Sequence, residues 1–215
     1  MIAAAQNCNN NVTNMTNTNI FAYLERDLNQ FKFQNLRSTP TILFGAAGGL
    51  ENLIKGFTYL YQSFSIARKK YPDLQLALFG QKSLPAFLRD DRQIINLGVI
   101  DNESEIAQIM NCCTALALPS VIDNLPQIAV EAISCGTAVI AHNVGGISDI
   151  VKDGINGVLV PFGNVDLFAQ ALIAIIDNSL NLKSRREIST LAHLEFNPAL
   201  IAQKYMNYYY KLMAD

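Results

Sequence analysis

The chain has 215 residues and a formal net charge of −2, with 50% apolar and only 16% charged residues. A usual domain carries about 25% charged residues, so this composition suits a large core and offers no basic field for nucleic acid. No apolar run reaches the ~18 residues that span a bilayer. The opening MIAAAQNC lacks the basic flank and apolar core of a signal peptide, so the expected compartment is the cytoplasm.

Residues 7–19, NCNNNVTNMTNTN, form a polar tract without periodicity and read as a linker or disordered lead-in. Regular patterning begins after Thr39-Pro40. Apolar, strand-like runs follow at Thr41–Gly45, Leu74–Gly80, Ile94–Leu97, Ala115–Pro119, Ala138–Ala141 and Gly157–Val160. Helical patterns lie between most of them. One covers Lys55 to Lys70, with Phe57, Leu60, Tyr61 and Phe64 on one face. Another starts at Asn102, which has capping-box spacing to Glu105, and runs to Cys112. Pro126 to Ser134 starts on a proline and stops at Gly136. Shorter or later helices are predicted at Ile147–Lys152, at Val165–Ile176 behind an Asn164 cap, and at Pro198–Met213.

Strands that are apolar throughout and separated by helices imply a parallel sheet covered on both faces. The predicted fold is α/β, a doubly wound, Rossmann-like sheet of about six strands. Its divisions are a lead-in and linker remnant at 1–40, the Rossmann-like domain at 41–180 and a helical extension at 181–215. The four cysteines, Cys8, Cys112, Cys113 and Cys135, form no C-x-x-C pair and have no His at metal spacing, so they read as packing thiols.

In such a sheet, ligands bind beyond the carboxyl ends of the strands. Two turns lie there: LPSVIDNLP ahead of the helix at Pro126, and NVGGIS, where Gly145 and Gly146 precede Ile147. Unpaired backbone N–H groups at such turns favour a phosphate or another anion. Asp123 and Glu131, eight positions apart, accept hydrogen bonds only, and so spaced could hold different hydroxyl-bearing parts of one long ligand. Two sugars joined by a diphosphate would be such a ligand. Asp123 also suits a turn and N-cap, and Glu131 an exposed helix position; spacing alone favours that plainer reading.

The stretch LPSVIDNLPQIAVEAISCGTAVIAHNVGGISDIVKDGINGVLVPFGN resembles the C-terminal half of family 4 retaining glycosyltransferases, which have the GT-B fold. Upstream, ILFGAAGGLENLIKGF and INLGVIDNESEIAQIMNCCTALALPS follow the same pattern, and the similarity covers about residues 41 to 178. The resemblance implies one half of a GT-B enzyme. Its donor would be a nucleotide-diphosphate sugar and its acceptor a glycan or glycolipid, with no metal or other cofactor. An N-terminal GT-B half would carry the acceptor site.

By the same resemblance, Lys55 contacts the diphosphate, Glu131 the ribose hydroxyls, and Gly98 and Val99 lie near the base. Asp123, with the backbone around Asn124 and Leu125, holds the donor sugar and adjacent phosphate. Three positions depart from the family pattern: Asp123 stands for the usual Glu, Asn-Leu-Pro replaces Phe-Gly after it, and Ala46 stands where many members have a phosphate-binding Arg. A non-catalytic nucleotide-sugar or glycan-binding module, lacking the acceptor domain, is the alternative function. Tyr205, Tyr208 and Tyr209 of the last helix either cross back to an N-terminal half or pack on their own domain. Leu182–Arg186, LKSRR, reads as a solvated helix face, with contact to a membrane surface as its other reading. His142 follows a strand and is read as structural or as a border of the cleft.

Overall fold

The computed structural model describes residues 21–24, 32–45 and 48–214. The polar tract at 7–19, Cys8 and Ala46 lie outside them. Six strands form one parallel sheet in the order β3-β2-β1-β4-β5-β6. They are β1 (Thr41–Gly45), β2 (Gln75–Phe79), β3 (Ile94–Gly98), β4 (Ala115–Leu118), β5 (Ala138–His142) and β6 (Gly157–Val160). The helices are α1 (Phe57–Lys70), α2 (Glu103–Cys112), α3 (Gln127–Ser134), α4 (Ile147–Ile150), α5 (Val165–Ile176), α6 (Arg185–Glu195) and α7 (Pro198–Ala214). The doubly wound fold read from the sequence is therefore observed.

Alternation along the strands divides the core between two faces. Leu43, Ala77, Leu116, Val139 and Ala141 point to the face covered by α2, α3 and α6. Ile42, Phe44, Leu76, Leu78, Ala117 and Ile140 point to the face covered by α1 and α5. Helix α1 buries Phe57, Leu60, Phe64 and Ala67, a spacing of three and four residues that makes one apolar stripe. Phe21, Phe33 and Leu36, from the predicted lead-in, join the first of these clusters. Cys112, Cys113 and Cys135 are buried and free, and burial pushes the Cys113 and Cys135 thiols well above their usual range.

The helix ends have local causes. Asn102 accepts from the Ser104 and Glu105 amides, and Asn164 from the Leu167 amide. Gly136, at φ +71°, ends α3 while its amide reaches the Ile133 carbonyl and the Thr137 amide reaches Ala132. Helix α1 starts at Phe57 rather than Lys55, because Gly56 adopts φ +70° and Lys55 belongs to a separate 3-10 turn at Leu53–Lys55. Helix α4 stops at Ile150, not Lys152. Val151 is extended, and the Lys152 amine folds back onto the Ser148 and Asp149 carbonyls.

Within LKSRR, Lys183, Ser184 and Arg186 are exposed, as a solvated face requires, and Arg185 alone corrects the sequence reading. Arg185 lies on neither a solvated face nor a membrane-facing one: its guanidinium donates to the carbonyls of Cys113, Met110 and Asn111 and to the Thr137 hydroxyl, at 2.7–3.1 Å. Ser184 and Glu187 form a full capping box behind it and start α6. Tyr205, Tyr208 and Tyr209 are 55, 61 and 52% exposed, so they do not pack on this domain.

Replacing Arg185 by Met would retain bulk but leave three buried carbonyls without this donor. Each stranded polar group costs about 1–3 kcal/mol. Urea unfolding should show a loss of at least ~2 kcal/mol, whereas Lys69→Met, on an exposed side chain of α1, should change little.

Candidate functional site

Strand β1 pairs with β2 on one side and β4 on the other. The sheet order reverses there, so the chain leaves β1 and β4 in opposite directions and opens a crevice at their carboxyl ends. The two exit segments are fastened to each other. The Val121 amide donates to the Ile54 carbonyl at 2.8 Å. A Cβ placed on Gly56 would lie 1.8 Å from the Pro119 carbonyl oxygen, so that approach requires glycine. As a result Lys55 meets Asp123, with Nζ 3.3 Å from Oδ2 and side chains 28% and 17% exposed.

A cleft of about 670 Å³ opens at this point, within the range of small-molecule sites. Lys55, Val99, Asp123, Leu125 and Glu131 line it together with Gly45, Phe79, Gly80, Ile100, Asp101, Pro126, Gln127 and Ile128. Five residues singled out from the sequence thus share one cavity. Gly98 and Asn124 do not line it themselves, although their neighbours Val99, Asp123 and Leu125 do. Asp101 and Gln127 were not singled out; their signal is position alone, one just past the end of β3 and the other at the first turn of α3.

Gly145 and Gly146 depart from the sequence reading. Neither lines the cleft, and the Gly146 amide is already spent on the Asp123 carbonyl at 3.1 Å. Side chains there would collide with the Asp123 and Asn124 carbonyl oxygens, at 2.1 and 2.0 Å. The pair supports the acidic loop by letting another backbone lie against it. His142 does not line the cleft either; it is fully buried at the end of β5.

The Glu131 carboxyl, one turn into α3, makes no hydrogen bond among the described residues, while its backbone carbonyl accepts from the Cys135 amide at 3.0 Å. Burial raises its pKa to about 7, and the nearby Glu103 carboxylate adds to the rise. A half-buried carboxyl left without a donor is costly to ionise. The folded pKa lies above the unfolded value of 4.5, so the folded state binds the extra proton. Its contribution to stability is full below pH 4.5 and is lost as pH rises towards 7. Glu131→Gln should therefore gain stability over the parent between those values and hold a constant advantage above them, up to about 3 kcal/mol. Denaturant titrations at a series of pH values would measure it, and an equal difference at all pH values would contradict the buried-acid account.

None of the described helices is long and apolar enough to cross a membrane. The family described as "Glycosyl transferases group 1" matches residues 40–178. The chain is 30% identical over 161 residues to the D-inositol 3-phosphate glycosyltransferase of Paenarthrobacter aurescens, covering 70% of this chain and 38% of that protein. It is 31% identical over 117 residues to the alpha-maltose-1-phosphate synthase of Mycobacterium tuberculosis, covering 51% of this chain and 30% of the relative. Anabaena HepE, solved in complex with UDP-glucose, superposes with a TM-score of 0.73 at 18% identity, over 92% of this chain and 56% of that one. The C-terminal domain of the Francisella tularensis glycosyl transferase LpcC superposes with a TM-score of 0.60 at 23% identity, over 87% of this chain and 97% of that one. The chain thus spans well under two thirds of the curated relatives it matches. A six-stranded sheet in Rossmann order, a cleft at its reversal point and a family match over most of the sheet lead to one conclusion: this chain belongs to the group 1 glycosyl transferases and has the architecture of one GT-B half.

Proposed function

We propose that the chain is the donor-binding half of a retaining glycosyltransferase, which transfers a sugar from a nucleotide-diphosphate sugar to a glycan or glycolipid acceptor of the polysaccharide or lipopolysaccharide type. The observation that carries this reading is the meeting of Lys55, Asp123 and Glu131 in one cleft at the reversal of strand order. The UDP-glucose bound by HepE, a structural neighbour, supports the donor class.

In this reading each group has the chemistry its place demands. The Lys55 amine and the amino end of α3 face the diphosphate, where negative charge grows as the glycosidic bond breaks. Asp123 accepts from hydroxyls of the donor sugar and Glu131 from those of the ribose. Gly98 and Val99 border the base, and the backbone at Asn124 and Leu125 completes the sugar end. The acceptor attacks on the face the leaving group departs from, and no protein nucleophile is assigned. An N-terminal GT-B half brings the acceptor, and no metal is assigned to the diphosphate.

The Lys55–Asp123 pair adds a consequence. Without ligand the two charges satisfy each other at 3.3 Å; a bound donor exchanges that contact for phosphate on one side and sugar hydroxyls on the other. Calorimetric titration with UDP- and GDP-sugars, and with the free nucleoside diphosphates, tests the scheme. Lys55→Met should weaken both donor and nucleoside diphosphate by about ten- to a hundredfold, the size of one charge-assisted hydrogen bond. Asp123→Asn should weaken the donor alone, and bind the free diphosphate as well as the parent or better, because Lys55 is released. An unchanged affinity in Lys55→Met would overturn the assignment. Transfer of radiolabelled sugar by this chain without a separately supplied N-terminal half would overturn the two-half scheme.

A further inference from the structure

We propose that His142, outside the cleft, is the positioning residue that holds the Asp123 loop in place for the donor sugar, an inference that rests on the donor-binding reading above. His142 Nδ1 lies 3.3 Å from the Ser120 carbonyl oxygen. A carbonyl only accepts, so Nδ1 carries the proton. Nε2 is buried without a hydrogen-bond partner. Protonating it would place an N–H where no acceptor exists, and the neutral Nδ1–H tautomer is thereby fixed.

The ring is held on three sides. Tyr59, Phe162 and Phe168 meet it edge-on at centroid distances of 5.4, 5.4 and 5.3 Å. These aromatic neighbours come from α1, the segment after β6, and α5, so the imidazole cannot swing away from Ser120 without repacking three elements. Four residues further on, the Gly146 amide donates to the Asp123 carbonyl. The segment 142–146 therefore grips the loop at two points, Ser120 and Asp123, while Ile54 holds Val121 from the other side. With the His142 donor removed, the loop keeps its hold at Asp123 and Val121 but loses the one at its root. The Asp123 carboxylate is then free to drift relative to Lys55 and the sugar end of the cleft. The Lys55 turn also touches this loop, through the Ile54–Val121 bond and the Gly56–Pro119 contact, but neither contact passes through His142 and both remain when its donor is lost.

Packing and donation make opposite demands, which allows a decisive test. His142→Phe fills the aromatic enclosure but donates nothing. His142→Asn leaves space in the enclosure but returns an N–H near the position of Nδ1. Both variants are titrated with UDP and UDP-glucose, and amide hydrogen exchange is followed at Val121 and Gly146 in the ligand-free protein. The positioning role predicts that Phe lowers UDP-glucose affinity about tenfold relative to UDP and speeds exchange at both amides, while Asn restores both quantities towards the parent. A purely structural role predicts the reverse order, and that result overturns the proposal. Unchanged exchange and an unchanged affinity ratio in His142→Phe overturn it too, whether or not His142→Asn folds. If the parent binds neither ligand, the donor-site reading fails, and the exchange rates alone still decide whether His142 holds the loop.

Discussion

The site depends on one close approach of two backbones. Gly56 lies against the Pro119 carbonyl, where any Cβ would be 1.8 Å from oxygen, and it does so at φ +70°. Both facts demand glycine. This contact draws the turn before α1 onto the end of β4, across the gap that the reversal of strand order creates. Lys55 is the residue before that glycine, and Asp123 is four residues beyond the proline. Their pairing follows from the backbone contact, not from attraction between two partly exposed charges, which by itself is worth at most about 1 kcal/mol.

Two half-buried charges are met in opposite ways. On one side of the sheet, Arg185 finds three carbonyls and a hydroxyl, so its charge is met by fixed dipoles and locks the start of α6 against the ends of α2 and α3. In the cleft, the Glu131 carboxyl finds no donor among the described residues, and its pKa is raised to about 7. A buried polar group left unpaired weakens the fold and persists where something else uses it. A ligand that brings hydroxyls to the Glu131 carboxyl would give it donors.

Much of this was legible in the chain. Continuous apolar strands alternating with amphipathic helices identify a doubly wound sheet, because only a parallel sheet covered on both faces buries such strands. That fold places binding at the strand carboxyl ends, which put Asp123 and Glu131 near one crevice; Lys55 joined them only through the family resemblance. What escaped was set by tertiary contact. Arg185 reads as a solvated charge because nothing local reveals the carbonyls more than seventy residues away that receive it. The start of α6 was available in Ser184 and Glu187, whose spacing is that of a capping box. Asp101 could be found only from its place just past the end of β3.

The glycine pair at 145–146 shows why motif and role must be separated. A Gly-Gly turn ahead of a helix reads as an anion cradle, since its amides are expected to be free. Here one of those amides is bound to the Asp123 carbonyl, and the missing side chains make room for the backbone of Asp123 and Asn124. Helix α4 behind it is only four residues long, too short to build much of a dipole. The pair therefore acts on the ligand through the loop it supports. The same holds for His142 at the other end of that segment: the residues that shape the acidic loop lie in β5 and just beyond it, while many of those that face the cavity lie just past β3, on α3 and at the turn at Lys55. A change at 142, 145 or 146 would then be felt first at Asp123, which hangs directly from that segment, and at Lys55 only through the Ile54–Val121 and Gly56–Pro119 contacts.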